Sequence, residues 1–154
     1  MFNRSSHAVY DCRYHLVWPT KYRKKVLTLE HERQFCESLM RRVAEAYGME
    51  LKAVEVDQDH VHVYIGIPPQ RAVGSAVRIL KSISARRMFS RFPYLKRKLW
   101  AGELWGDGYF VRTIGEGVTA EMVDRYIKQH GAKEALRAAQ AELFPQEKAR
   151  AKRP

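Results

Sequence analysis

The stretch DQDHVHVYIGIPP, residues 57–69, sets His60 and His62 two positions apart inside a β-branched, apolar run. Side chains alternate along a strand, so His60, His62 and Tyr64 share one face while Val61, Val63, Ile65 and Ile67 share the other. The aliphatic set belongs in a core. The two imidazoles then stand together, roughly 6–7 Å apart at the backbone, within reach of a single cation. The same pattern equally describes two polar residues on a half-exposed strand, and a metal needs a third donor. Tyr126 and His130 lie four residues apart and project from one helical face, with Gln129 beside it. If that helix covers the histidine face, His130 or Gln129 completes a ligand set and the phenol of Tyr126 points at the same ion. Otherwise Tyr126 is one more apolar-face residue next to Met122 and Val123.

Elements must hold these side chains in place. Residues 7–18 (HAVYDCRYHLVW) alternate as a strand. After the basic connector Lys21–Lys25, Thr28 can cap a helix running to about Tyr47, with Phe35, Leu39, Val43 and Ala46 on its apolar side and Gly48 as its stop. Residues 51–56 and 60–67 read as two strands of a hairpin turning at Asp57-Gln58-Asp59, and Pro68-Pro69 ends the second. From 70 to 92 the period is helical. Val73, Ala76, Val77, Leu80 and Ile83 form a stripe beneath, with Arg71, Arg78 and Arg86 above, and Pro93 closes the helix. Two further strands are expected over 99–105 and 109–114, around Gly106-Asp107-Gly108. A joint at Gly115-Glu116-Gly117 and a helix from Thr119 follow. The order predicts an α+β fold: an antiparallel sheet with helices packed on it, a ferredoxin-like or RRM-like β-α-β-β-α-β core plus a C-terminal helix bearing Tyr126.

Length and charge bound the rest. A chain of 154 residues suits one domain, placed at 1–135, with a basic, flexible tail at 136–154. No apolar run reaches membrane-spanning length and the first residues lack a secretory pattern, so a soluble, cytoplasmic protein with no membrane partner is expected. Cys12 and Cys36 are too few for a disulfide framework or a zinc knuckle. The formal net charge of +11 points to a polyanionic partner. Its distribution says more: residues 71–98 hold Arg71, Arg78, Lys81, Arg86, Arg87, Arg91, Lys96, Arg97 and Lys98 and no acid. A solvated helix face is the alternative to a binding surface.

Four stretches, HLVWPTKYRKKVL, DHVHVYIGIPP, KSISARRMFSRFPYLKRKLWAGELW and YIKQH, follow one another between about Tyr10 and His130. In that order and spacing the chain resembles the single-tyrosine HUH transposases of small bacterial insertion sequences that move as single-stranded DNA, whose relatives include the REP-associated tyrosine transposases. The resemblance implies a metal-dependent tyrosine DNA endonuclease and strand transferase. Tyr126 would be the nucleophile that forms a 5′-phosphotyrosine link, and His60, His62 and His130 the ligands of a divalent ion. Family members usually carry Gln at the place of His130; Gln129, one residue earlier, is the second choice. The cofactor implied is Mg²⁺ or Mn²⁺, and an all-imidazole set leans toward Mn²⁺ or Zn²⁺. The partners implied are single-stranded DNA with hairpins near its ends and a second copy of the chain in a homodimer with shared active sites. Arg78, Lys81, Arg86, Arg87, Arg91, Lys96 and Arg97 are the candidate DNA contacts, with Tyr94 or Trp100 available for stacking. Two alternatives stand beside this: a non-catalytic RNA- or single-strand-binding module of RRM-like fold, and a domesticated relative acting on palindromic repeats. A two-histidine phosphoesterase would want a second His-x-Ser/Thr element, which the chain lacks.

Overall fold

The computed structural model describes residues 3–99 and 102–115. Its elements are β1 (Asn3–Arg4), β2 (Val9–Tyr10), β3 (Arg13–Pro19), α1 (Glu30–Ala46), β4 (Glu50–Val56), β5 (His60–Gly66), α2 (Val73–Arg91) and β6 (Phe110–Ile114). β1 and β2 form a small antiparallel pair. The main sheet has the order β4-β5-β3-β6 with every pair antiparallel. Counting only the four core strands, the order is second, third, first, fourth. This is the ferredoxin-like arrangement that the element sequence predicted.

Local chemistry explains the main boundaries. The β4–β5 hairpin turns where Asp57 and Asp59 stand, with the Asp57 N–H donating to the His60 carbonyl at 2.8 Å. α1 starts one residue later than a Thr28 cap predicts. Leu29 is its N-cap, and the donor problem of the first turn is met by the buried Glu32, whose Oε1 accepts from the Leu29 N–H at 3.0 Å. Gly48 ends α1 at φ +69°, where a side chain would be strained.

The core lies between one face of the sheet and the two helices. Leu16, Trp18, Val61, Val63 and Ile65 meet Met40 and Val43 from α1 and Val77, Leu80 and Met88 from α2. The central strand β5 is buried at all seven positions, so the half-exposed strand of the sequence reading is not what forms. Two other expectations are corrected. Residues 7–18 are not one strand: Asp11 and Cys12 interrupt it and separate β2 from β3. Among the described residues of 99–105 none lies in a strand either. Pro93–Lys98 coils as a 3₁₀ turn, Gly102 sits at φ +66°, and Trp105 makes a single bridge to Thr20. Leu99, Leu104 and Trp105 are buried in the common core instead.

Candidate active site

β5 presents His60 and His62 on the sheet face away from the helices, as the alternation requires. Cross-strand partners on β3 are Pro19 for His60, Val17 for His62 and His15 for Tyr64. His60 is 0% exposed and His62 2% exposed, and the ring centroids lie 5.3 Å apart at an 80° interplanar angle. Each ring is held at Nδ1. For His60 the partner is the Asp59 carboxylate, 2.5 Å away, which only an Nδ1–H can satisfy, so its lone pair is left on Nε2. Among the described residues that Nε2 is buried and has no hydrogen-bond partner, with an Asp57 carboxylate oxygen 3.9 Å away. A buried imidazole with an orphaned lone pair and a carboxylate behind it is the donor a divalent ion requires. For His62 the partner is His15, whose Nε2 lies 3.0 Å from the His62 Nδ1.

His15 is 6% exposed. Its pKa is lowered to about 4, first by burial and second by the positive charge of its cross-strand neighbour Arg112, so the ring is neutral at pH 7. Further along the same face Arg13 donates to the Tyr64 hydroxyl at 2.9 Å and pairs with Asp11. The Asp59 turn is itself anchored. Thr20 donates its N–H to the Asp59 carbonyl at 2.8 Å, and its hydroxyl bridges the carbonyls of Lys24 and Asp59.

The structure therefore brings His60 and His62 together. Among the described residues no set of three or more His, Cys, Asp or Glu side chains is placed to hold an ion. Tyr126, Gln129 and His130 lie outside the described residues, as do the helix expected from Thr119, the Glu116-Gly117 part of the joint, the tail, and Trp100. Sequence reading missed Asp59 and His15. Asp59 was legible as the neighbour of His60. Nothing in the sequence pairs His15 with a ring 47 residues away.

The acid-free segment forms a second feature, on the helical side. α2 and the loop 102–109 border a groove of about 970 Å³ lined by Arg78, Lys81, Arg86, Phe89, Lys96 and Tyr109, among others. Arg87, Arg91 and Arg97 are exposed but do not line it. Lys81 is committed to the fold: its ammonium donates to the carbonyls of Gly106 at 2.8 Å and Gly108 at 2.7 Å, and burial lowers its pKa. Tyr94 is likewise engaged. Its hydroxyl donates to Glu32 at 2.6 Å, and that bond to a carboxylate pushes its pKa up to about 12.

Solved structures carry this build. A transposase from Deinococcus radiodurans is similar with a TM-score of 0.67 and 41% identity, covering 84% of this chain and 98% of that one. A REP-associated tyrosine transposase bound to a REP hairpin is similar in fold, with a TM-score of 0.51 at 16% identity over 85% of this chain and 75% of its own. The α+β sheet with its paired histidines thus has the build of a transposase. Sequence comparison narrows the class. The family model described as transposase, IS200-like, matches residues 8–130. The ISDra2 transposase TnpA of Deinococcus radiodurans is 40% identical over 82% of this chain and 89% of its own length. The transposase for insertion sequence element IS200 of Salmonella typhimurium is 34% identical over 80% of this chain and 79% of its own. The chain belongs to the IS200-like transposase family.

Proposed function

We propose that this transposase cleaves and rejoins single-stranded DNA at the ends of an insertion sequence, with Tyr126 as nucleophile and a divalent ion held by His60, His62 and His130. The observation that carries this is the pair of buried imidazoles on one sheet face, one of them with its Nδ1 on a carboxylate and its Nε2 lone pair unengaged. The Tyr126 oxygen forms a bond to phosphorus, the bond from phosphorus to the 3′ oxygen breaks, and that oxygen leaves as a 3′-hydroxyl with a proton. The strand remains attached through a 5′-phosphotyrosine. A second 3′-hydroxyl attacks the same phosphorus and restores the tyrosine, so joining consumes no nucleotide triphosphate. A phenol of ordinary pKa near 10 is only about one-thousandth ionised at pH 7, a deficit of about 4 kcal/mol that the site must offset. A bound Mn²⁺ or Mg²⁺ supplies positive charge at the non-bridging phosphate oxygens, where negative charge develops.

The groove on α2 is proposed to hold hairpins near the element ends, with Arg78, Arg86 and Lys96 on phosphates. A homodimer in which Tyr126 of one copy meets the histidines of the other completes the reading. The test is incubation with labelled single-stranded DNA from the flanks of the gene, with Mn²⁺ or Mg²⁺, followed by a denaturing gel. A protein–DNA adduct that vanishes in Tyr126→Phe and in His60→Ala is expected. Binding without any adduct would instead favour a non-catalytic strand-binding module, for which the RRM-like strand order is the supporting observation.

A further inference from the structure

A neutral imidazole carries one proton, and a ring nitrogen that bears it cannot bind a metal. The two proposed ligands face this constraint with different partners. Asp59 can only accept, so the proton of His60 is fixed on Nδ1. His62 faces another imidazole, and a bond between two neutral rings can run in either direction. If His62 donates from Nδ1 to Nε2 of His15, its own Nε2 keeps a lone pair. If His15 donates, the proton of His62 moves to Nε2 and that nitrogen is lost as a ligand.

We propose that His15 is the positioning residue for His62, accepting its Nδ1–H and so holding the ring in the one tautomer that can ligate a divalent ion at Nε2; this rests on the metal reading above. The geometry is that of a directed bond. The ring planes are within 12° of parallel and the centroids are 5.2 Å apart. With ring nitrogens only 3.0 Å apart, that separation places the rings edge to edge, each nitrogen aimed at the other in the ring plane where N–H and lone pair lie. Face-to-face stacking would bring the centroids closer. His15 is fixed for the task by the sheet: β3 pairs with β5 on one side and β6 on the other, and the ring meets Phe110 of β6 edge-on at 6.4 Å. The two ligands differ as a result. His60 is backed by a carboxylate and His62 by a second imidazole.

The experiment uses the full chain without metal. Long-range ¹H–¹⁵N correlation spectra of the histidine rings at neutral pH report which nitrogen of each is protonated. Mn²⁺ binding is then measured by calorimetry for wild type, His15→Phe and His15→Gln, with the thermal midpoint of each metal-free protein recorded alongside. His15→Phe keeps an aromatic ring but offers no acceptor; His15→Gln restores a carbonyl oxygen that can reach the same place. The expected result is His62 protonated at Nδ1, Mn²⁺ affinity lower by roughly ten- to a hundredfold in the Phe variant, and most of it recovered in the Gln variant. A proton on Nε2 of His62, or Mn²⁺ binding by the Phe variant equal to wild type, overturns the assignment. The spectrum of the wild type decides the question even if a variant does not fold. Wild type that binds no Mn²⁺ brings down the metal reading and this inference together, whereas binding that ignores position 15 removes this inference alone.

Discussion

Asp59 stands one residue before a histidine whose free nitrogen is buried, and its carboxylate has two jobs there. It fixes which nitrogen of His60 carries the proton, and it holds the orientation of the ring. Asp59→Ala should therefore weaken Mn²⁺ binding by about tenfold or more, read by calorimetry, while the circular dichroism of the folded chain stays the same. Equal affinity would leave Asp59 as a turn residue only. The two thiols should differ as sharply. Cys36 is fully buried on α1 and burial pushes its pKa well up, whereas Cys12 is half-buried in the break between β2 and β3. Since the thiolate is the reactive form, iodoacetamide at mildly alkaline pH should label the native protein at Cys12 and spare Cys36 until denaturant is added. Mass spectrometry of the peptides checks it.

At the scale of elements, the loop 102–109 is held by three side-chain fasteners, two from α2 and one from the segment after β3. Lys81 reaches it from α2, the Trp105 indole N–H donates to Ser84 at 2.9 Å, and Lys21 pairs with Glu103 at 2.9 Å. Gly106 is where the backbones press together, since a Cβ there would stand 3.1 Å from the Thr20 carbonyl oxygen and 3.2 Å from the Pro19 ring. That places one end of the loop against the end of β3 nearest His60. Lys81→Met should lower the thermal midpoint, because the carbonyls of half-buried Gly106 and exposed Gly108 lose the donor that ties the loop to α2, at a cost of about 1 kcal/mol. Arg78→Ala and Arg86→Ala, whose side chains are exposed on α2, should leave the midpoint within about a degree or two. The difference separates a cation that holds the groove together from cations that face what enters it.

Over the whole molecule the sheet separates the two proposed sites. The paired histidines lie on one face, while the helices, and with them the basic groove, lie on the other. A DNA end that is gripped in the groove and cut at the histidines must pass around an edge of the sheet, which a single strand leaving a hairpin can do and a stiff duplex cannot easily do. Affinity for such a hairpin should fall linearly with the logarithm of salt concentration, and each of Arg78→Ala and Arg86→Ala should reduce the slope by about 1. A slope unchanged by both would take the groove out of the interface. Mixed dimers of Tyr126→Phe with His62→Ala chains should regain cleavage if the tyrosine and the histidines of one site come from separate copies, and stay dead if each copy is self-contained.

The sequence by itself determined the main elements around the histidines and the family. Period-two alternation along residues 60–67 placed both histidines on one face, the 3.6-residue stripe of 73–83 set a helix against the core, and four motifs in fixed order pointed to the transposase family. These are local facts, decided by side-chain geometry over a few residues. Where the chain closes on itself, local pattern was not enough. Leu99, Leu104 and Trp105 looked like a strand because buried apolar residues recur there, yet they join the common core without strand pairing beyond the one bridge of Trp105 to Thr20 among the described residues. Lys81 stood among the candidate DNA contacts of an acid-free segment, yet it donates hydrogen bonds to carbonyls 25 and 27 residues on. His15 carries no mark in its own strand. Only the pairing of β3 with β5 sets it beside His62, because a hydrogen bond between two rings depends on register between strands, and register is fixed by the packing of the entire sheet rather than by either strand's own residues.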